Sequence, residues 1–261
     1  MIFKMASLAA NPPRGFHVQY IDDIAVLVLN NTENRFNVNS VQQLLDALDE
    51  VERNDSANAL VITGIGKFFS NGLDLDWLTQ QPPDVGLKFF GMLKEMNLKL
   101  ATFPVPTIAA LNGHAYAAGG ILALLCDCRV MRTNKGWICL PEVQLKLKFS
   151  TMMVDLIRLK APSPQVSRDM MIYGKRYTSD EALKVGLVEA VCEESQLLDC
   201  ACKLAKQCIG KNGLDRVMLK TMKMDLYGTI LEKSALKDEE VIRDERVGKM
   251  DAYNKAATSK L

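Results

Sequence analysis

Two stretches decide the fold: FFSNGLDL at residues 68–75 and NGHAYAAGGILALLCD at residues 112–127. Each follows a strand-like apolar run and passes through glycine and other small residues toward a helix-like segment. Backbone that leaves a strand and enters a helix in this way presents N–H groups that have no intrahelical partner. Two such groups aimed at one point make a hole for a negatively charged oxygen. Taken singly, each stretch is weak, because a glycine turn after a strand is ordinarily structural. Their order and spacing carry the information.

Outward from these stretches, the first half of the chain alternates strand and helix signals. The β-rich runs 15–21 and 23–30, split by a turn at Asp22-Asp23, predict an antiparallel pair. Asn39-Ser40 reads as the cap of a helix through about residue 53, with Val41, Leu44, Leu45, Leu48 and Val51 on its core face. A continuously apolar strand over 58–63 then ends in Gly64-Ile65-Gly66. A helix over 85–100, a strand over 106–111, a buried helix over 117–126 and strands over 127–132 and 137–140 follow. This part reads as repeated β-β-α units. From residue 149 the pattern turns helical, over 151–159, 164–173, 179–185, 194–209, 213–227 and 230–253, with one strand-like run at 187–192. The last helix is charged on most faces, which places it on a surface or against a neighbouring subunit.

Composition removes several classes of function. The chain has 261 residues, 48% of them apolar, and a net charge of +1. That length suits one large domain with a core that needs no staples. The balanced charge gives no footprint for nucleic acid or an anionic membrane. Only two histidines occur, His17 and His114, so a multi-histidine metal site is out of reach. The seven cysteines include no C-x-x-C pair and read as buried thiols in a reducing compartment. No dinucleotide fingerprint, Walker loop or G-x-S-x-G elbow is present. The opening MIFKMASLAANPPRG reads as neither a signal nor a transit peptide, and no run approaches the roughly 20 apolar residues of a membrane span. The final tripeptide, Ser259-Lys260-Leu261, reads as a peroxisomal address grasped by an import receptor.

In their order and spacing the two glycine-bearing segments resemble the crotonase (enoyl-CoA hydratase/isomerase) superfamily, over roughly residues 18–191. FFSNGLDL resembles that family's first oxyanion-hole segment, and NGHAYAAGGILALLCD its second. KRYTSDEALKVGLVEAV, residues 175–191, is similar to the family's later helix-and-strand segment. The resemblance implies an α/β fold: a spiral of β-β-α units with a C-terminal helical region. Its parts would be an N-terminal extension over 1–14, the spiral core over 15–200, the helical region over 201–258 and the targeting tripeptide. It also implies a homotrimer or a dimer of trimers, an acyl-CoA substrate, and no metal or redox cofactor. The amides of Leu73 and Ala118 would form the hole. Ser70, Asn71, Gly72, Leu73, Asp74, Leu75, Ala118 and Gly119 would line the substrate. Ala118 stands where the family commonly has glycine, and alanine still supplies the N–H.

The family divides by its carboxylates. Members that hydrate a double bond resemble one another in carrying two glutamates. Here the first position is Ile121, while the second is kept as Glu142 in ICLPEVQL, residues 138–145. Dienoyl-CoA isomerases add an acid further on, at a position that is Ser150 here. One carboxylate resembles the delta-3,delta-2-enoyl-CoA isomerases, and the GLDL and HAYAAGGIL wording with the terminal SKL resembles their peroxisomal, plant-type branch. Physics supports the division. Hydration needs one group to activate water and another to deliver a proton, whereas a 1,3-proton shift needs a single acid/base.

Two rival readings stay open: a 2-enoyl-CoA hydratase with a compensating acid elsewhere, and a catalytically idle acyl-CoA-binding protein of the same fold. Residue by residue there are plainer alternatives too. Glu142 after Pro141 could be a helix-start device. His114 could be a core histidine, and Asp74 and Asp127 structural residues. Lys220 and Lys223 could meet coenzyme A phosphates or form a solvated face. Met152, Met153, Met170 and Met171 could line an acyl tunnel or pack a core. The stretch after Glu142, KLKFSTMMVDL at residues 146–156, departs from the Gly-x-x-Pro-x-x-Gly-Gly common in the family.

Overall fold

The apolar runs of the first half become strands of two sheets. A computed structural model describes residue 8 and residues 11–228. The helix expected over 230–253 and the tripeptide at 259–261 lie outside the described residues, as does most of the segment 1–14.

Strands β1 (Gly15–Ile21) and β2 (Ile24–Asn30) pair antiparallel, and helix α1 (Val38–Arg53) follows them. Two further units repeat the plan. β3 (Ala59–Gly64) and β4 (Phe68–Ser70) lead through the short helix α2 (Leu75–Leu78) into α3 (Pro83–Ala101). β5 (Thr107–Leu111) and β6 (His114–Tyr116) lead into α4 (Ala118–Leu125). β7 (Cys128–Arg132) and β8 (Ile138–Cys139) open the next unit. The helical half then supplies α5 (Thr151–Lys160), α6 (Pro164–Met171), α7 (Ser179–Lys184), α8 (Leu197–Ile209) and α9 (Arg216–Leu226), with β9 (Ala190–Cys192) between α7 and α8.

In each unit from β3 onward, the first strand joins a large sheet and the second a small one. The large sheet runs β1-β2-β3-β5-β7-β9 and the small sheet β4-β6-β8. Apart from β1, every neighbour pair is parallel. This is the spiral of β-β-α units that the resemblance implies.

Strand periodicity divides the core. Val26, Val28, Val61, Ile108, Ala110 and Val130 face α8 and meet its Leu197, Ala201 and Ala205. The alternate residues Leu27, Leu29, Leu60, Ile62, Ala109 and Leu111 face the second layer, with Leu44 and Leu48 of α1, Met96 and Leu100 of α3 and the whole of α4. α4 is buried from Gly119 to Leu125, so it has no solvent stripe. Position 200, where the core was expected to end, falls inside α8, which covers the large sheet.

Boundaries shift where capping decides them. The cap of α1 is Asn37, earlier than Asn39-Ser40: its side chain accepts from Ser40 N while Ser40 Oγ accepts from Asn37 N. Ser40 is the third helical residue of a reciprocal capping box, which the stretch Asn37-Val38-Asn39-Ser40, with three possible caps, left ambiguous. The short strands β4 and β6 fall in stretches whose sequence reads only as turns, because each has only three residues.

Candidate active site

Because β4, β6 and β8 are parallel, Ser70, Tyr116 and Cys139 leave the small sheet at one edge. In parallel sheets this carboxyl-terminal edge is where ligands are held. The chain just beyond the three strands carries Leu73, Ala118 and Glu142, so the topology gathers the three residues that the sequence singles out for catalysis.

The first loop is fixed from behind. Phe36 N donates to Gly72 O and Asp74 N donates to Phe36 O, at 2.8 and 2.9 Å. These two bonds turn the N–H of Leu73, between them, toward the opposite side. Ser70 is fully buried, donating to Asn34 O and accepting from Gly72 N. Asn71 donates to Glu33, and Asp74 caps α2 by accepting from Trp77 N. The side chains of Ser70, Asn71 and Asp74 thus hold the loop in shape, and its backbone is what remains for a ligand. Leu75 is the first residue of α2.

The second loop turns abruptly at Ala117, with φ 50° and ψ −123°, a conformation unusual for a residue with a β-carbon. Ala117 N donates to Cys139 O, which pins the turn to β8. Ala118, Gly119 and Gly120 are then the first turn of α4, whose N–H groups have no intrahelical acceptor. Ala118 N lies against Gly72: a β-carbon built on Gly72, whose φ is +80°, would stand 3.1 Å from it. A β-carbon on Gly119 would lie 2.3 Å from Ser70 O. Among the described residues, neither Leu73 N nor Ala118 N donates to a backbone carbonyl. Both amides, free and on facing loops, are suited to hold one anionic oxygen.

Glu142 sits in tight turns. Gln144 N and Leu145 N donate to Pro141 O, and Leu147 N donates to Glu142 O. The next helix, α5, starts only at Thr151, so Pro141-Glu142 is not a helix start. Its Oε2 is buried without a hydrogen-bond partner among the described residues. Desolvation pushes the carboxyl pKa up to about 7, against a smaller opposing effect of its own backbone N–H. A buried carboxyl poised near neutrality is suited to take and return a proton. Ile121, 5% exposed, is part of the apolar core and puts no second acid on the first turns of α4.

The other candidates are structural. Asp127 accepts from Thr107 N, Thr107 Oγ1 and Lys223 Nζ. Lys223 is buried and also donates to Phe103 O and Val105 O, tying α9 to the core, and Lys220 pairs with Glu52. Lys223 is thus no part of a solvated face, and Lys220, whose side chain is 44% exposed, is tied to α1 through Glu52. Met152 and Met170 are buried in the main core, with Met153 and Met171 packed against it. Sequence reading misses Glu33, Asn34 and Phe36, which brace the first loop. The polar, turn-rich NNTENRF at residues 30–36 marks a loop but not what it supports.

Comparison with known proteins agrees with this architecture. The family described as enoyl-CoA hydratase/isomerase matches residues 21–244. The "Enoyl-CoA delta isomerase 1, peroxisomal" of Arabidopsis thaliana is 32% identical over 184 residues, covering 69% of this chain and 76% of that protein. The "Enoyl-CoA hydratase domain-containing protein 3, mitochondrial" of Rattus norvegicus is 34% identical over 200 residues, 75% of this chain and 65% of that one. The crystal structure of human mitochondrial delta3-delta2-enoyl-CoA isomerase superposes with a TM-score of 0.82 at 22% identity, covering 95% of this chain and 99% of that chain. At that identity it speaks for the fold.

Proposed function

The chain belongs to the enoyl-CoA hydratase/isomerase family, and on that premise we propose that it shifts the double bond of a 3-enoyl-CoA to give the trans-2-enoyl-CoA. The observation that carries this reading is the Glu142 carboxyl, whose Oε2 is buried without a partner among the described residues, together with apolar Ile121 at the position where a second acid would stand. Glu142 removes a proton from C2 of the acyl chain. Negative charge then moves onto the thioester oxygen, where the amides of Leu73 and Ala118 receive it; each such donor is worth about 3–4 kcal/mol. The same carboxyl returns the proton at C4, so atoms and charge balance without a second acid or a cofactor. Apolar surroundings keep water from the dienolate and hold Glu142 basic enough for the first step.

The peroxisomal location and a role in breakdown of unsaturated fatty acids are part of the same reading. They are supported by the similarity to the Arabidopsis protein named as peroxisomal. Assembly as a trimer or a dimer of trimers is part of the same reading; among the described residues α9 leaves Val217 76% exposed, an apolar surface that further copies of the chain would cover.

The test is substrate discrimination. A 3-enoyl-CoA should gain the absorbance of a conjugated enoyl thioester on incubation with the protein, while a 2-enoyl-CoA should keep it. Loss of absorbance from the 2-enoyl-CoA as the main reaction would make the protein a hydratase. Binding of both without turnover would make it an idle acyl-CoA binder.

A further inference from the structure

The face of the small sheet turned away from α4 has a character that the isomerase reading does not use. Period-two alternation sends Phe69, Ala115 and Ile138 into the core and leaves Phe68, His114, Tyr116 and Trp137 on the outer side, around a cavity of about 200 Å³. The rings form a wall: His114 and Trp137 have centroids 4.0 Å apart, and Phe68 and His114 5.4 Å. Two cations stand over that wall, Arg176 at 4.8 Å from the Trp137 ring and Lys67 at 5.3 Å from the Phe68 ring.

Two polar atoms here are unanswered. His114 Nδ1 and Trp137 Nε1 are both buried and have no hydrogen-bond partner among the described residues, and His114 as a whole is 9% exposed. Indole N–H is only a donor, so it asks for an acceptor. A buried donor left unmade is costly, and native structures rarely keep one without a reason. Of the acids nearby, Glu33 pairs with Arg35 and Asn71 and also acts on Lys67, and Glu142 acts on Tyr116 and Cys139. Arg176 reaches Tyr116 and Cys139, both neutral hydrogen-bond partners, and has no ion pair among the described residues. Lys67, Lys135 and Arg176 all act on His114, and with desolvation as the largest cause they hold its pKa below the ordinary value.

We propose that this outer face is a second small-molecule site, one that takes a carboxylate borne on a flat apolar body. The rings stack on the body, and Arg176 and Lys67 meet the charge. The cavity is smaller than the 300–1,000 Å³ or so that drug-sized ligands fill, which limits the body to about one ring. The cavity borders the isomerase loops through Asn71 and Tyr116 but draws on none of Leu73, Ala118 and Glu142, so a failure to bind benzoate leaves the isomerase reading intact.

The probe is benzoate, with benzamide as its neutral match, titrated into the full-length protein. Binding is read from indole fluorescence and from the two histidine resonances, where His17 on β1 serves as the internal control. Benzoate should bind saturably, move the His114 resonance and its titration upward, and leave His17 unchanged. Benzamide, and benzoate against Arg176→Gln, should each bind weaker by roughly tenfold or more, the scale of one charged hydrogen bond. Lys67→Gln provides the same reading should Arg176→Gln fail to fold. Equal binding of benzoate and benzamide, or a His114 resonance that does not move, would overturn the proposal. So would a protein that ignores benzoate but whose assembly dissociates on Arg176→Gln, since that outcome assigns the carboxylate to a second copy of the chain.

Discussion

A β-carbon on Gly72 would stand 3.1 Å from the amide nitrogen of Ala118 and 2.9 Å from Tyr116 O, so the two candidate oxyanion loops meet across a glycine. Gly72 also has φ +80°, where a side chain is strained whatever the space. Gly72→Ala should therefore push the loops apart and lower kcat more than it raises KM, with a stability loss of about 1–3 kcal/mol. Steady-state kinetics with a denaturant titration of the same variant checks both. Gly119→Ala should be worse, because the new atom would meet Ser70 O at 2.3 Å and neither backbone can yield.

The carboxyl of Glu142 has its pKa pushed up to about 7, and its work as a base requires the ionised form. Activity should therefore be lost as pH falls. Below about pH 7, kcat/KM should drop about tenfold per unit, reporting the free enzyme. A profile flat down to pH 5 would mean that another group is the base.

The same burial has a stability consequence of opposite sense to that of a salt-bridged acid. Between about pH 4.5, the ordinary glutamate value, and about pH 7, the folded chain binds the Glu142 proton while the unfolded chain has released it. Stability from this group is thus complete at low pH and lost as pH rises through that window, by about 3 kcal/mol in all. Urea midpoints of wild type and Glu142→Gln should diverge across the window in favour of the variant, and run parallel above pH 8.

Lys223 is buried, 2.6 Å from Asp127, and donates to two carbonyls. Lys223→Met leaves the Asp127 charge without its cation, and should cost about 3–5 kcal/mol while KM for an acyl-CoA stays put. A raised KM at unchanged stability would instead restore the phosphate contact that the sequence left open.

Much of this was legible because period and composition report burial directly. Leu44, Leu48 and Val51 announce the core face of α1, and NALVIT announces a strand buried on both sides. The loops at 68–75 and 112–127 were legible as sites because free amides at a strand end need small residues. Less legible was anything decided by long-range pairing. Only the parallel pairing of three short strands brings Leu73, Ala118 and Glu142 to one edge. The sequence around Phe68, His114 and Trp137 likewise says nothing of their sharing one outer face with Arg176. Lys223 misled because a lysine among Lys220, Asp225 and Thr221 looks solvated, and only the packing of α9 against residues 103–105 buries it.

The central claim is that one carboxyl does all of the proton transfer. Turnover of a 3-enoyl-CoA by Glu142→Gln, in a variant whose circular dichroism and denaturation show it folded, tests it most directly. The account predicts that kcat falls by roughly 10²–10⁴-fold, the range of a lost acid/base, with little change in acyl-CoA binding. Near-wild-type isomerase turnover by the folded variant would contradict it.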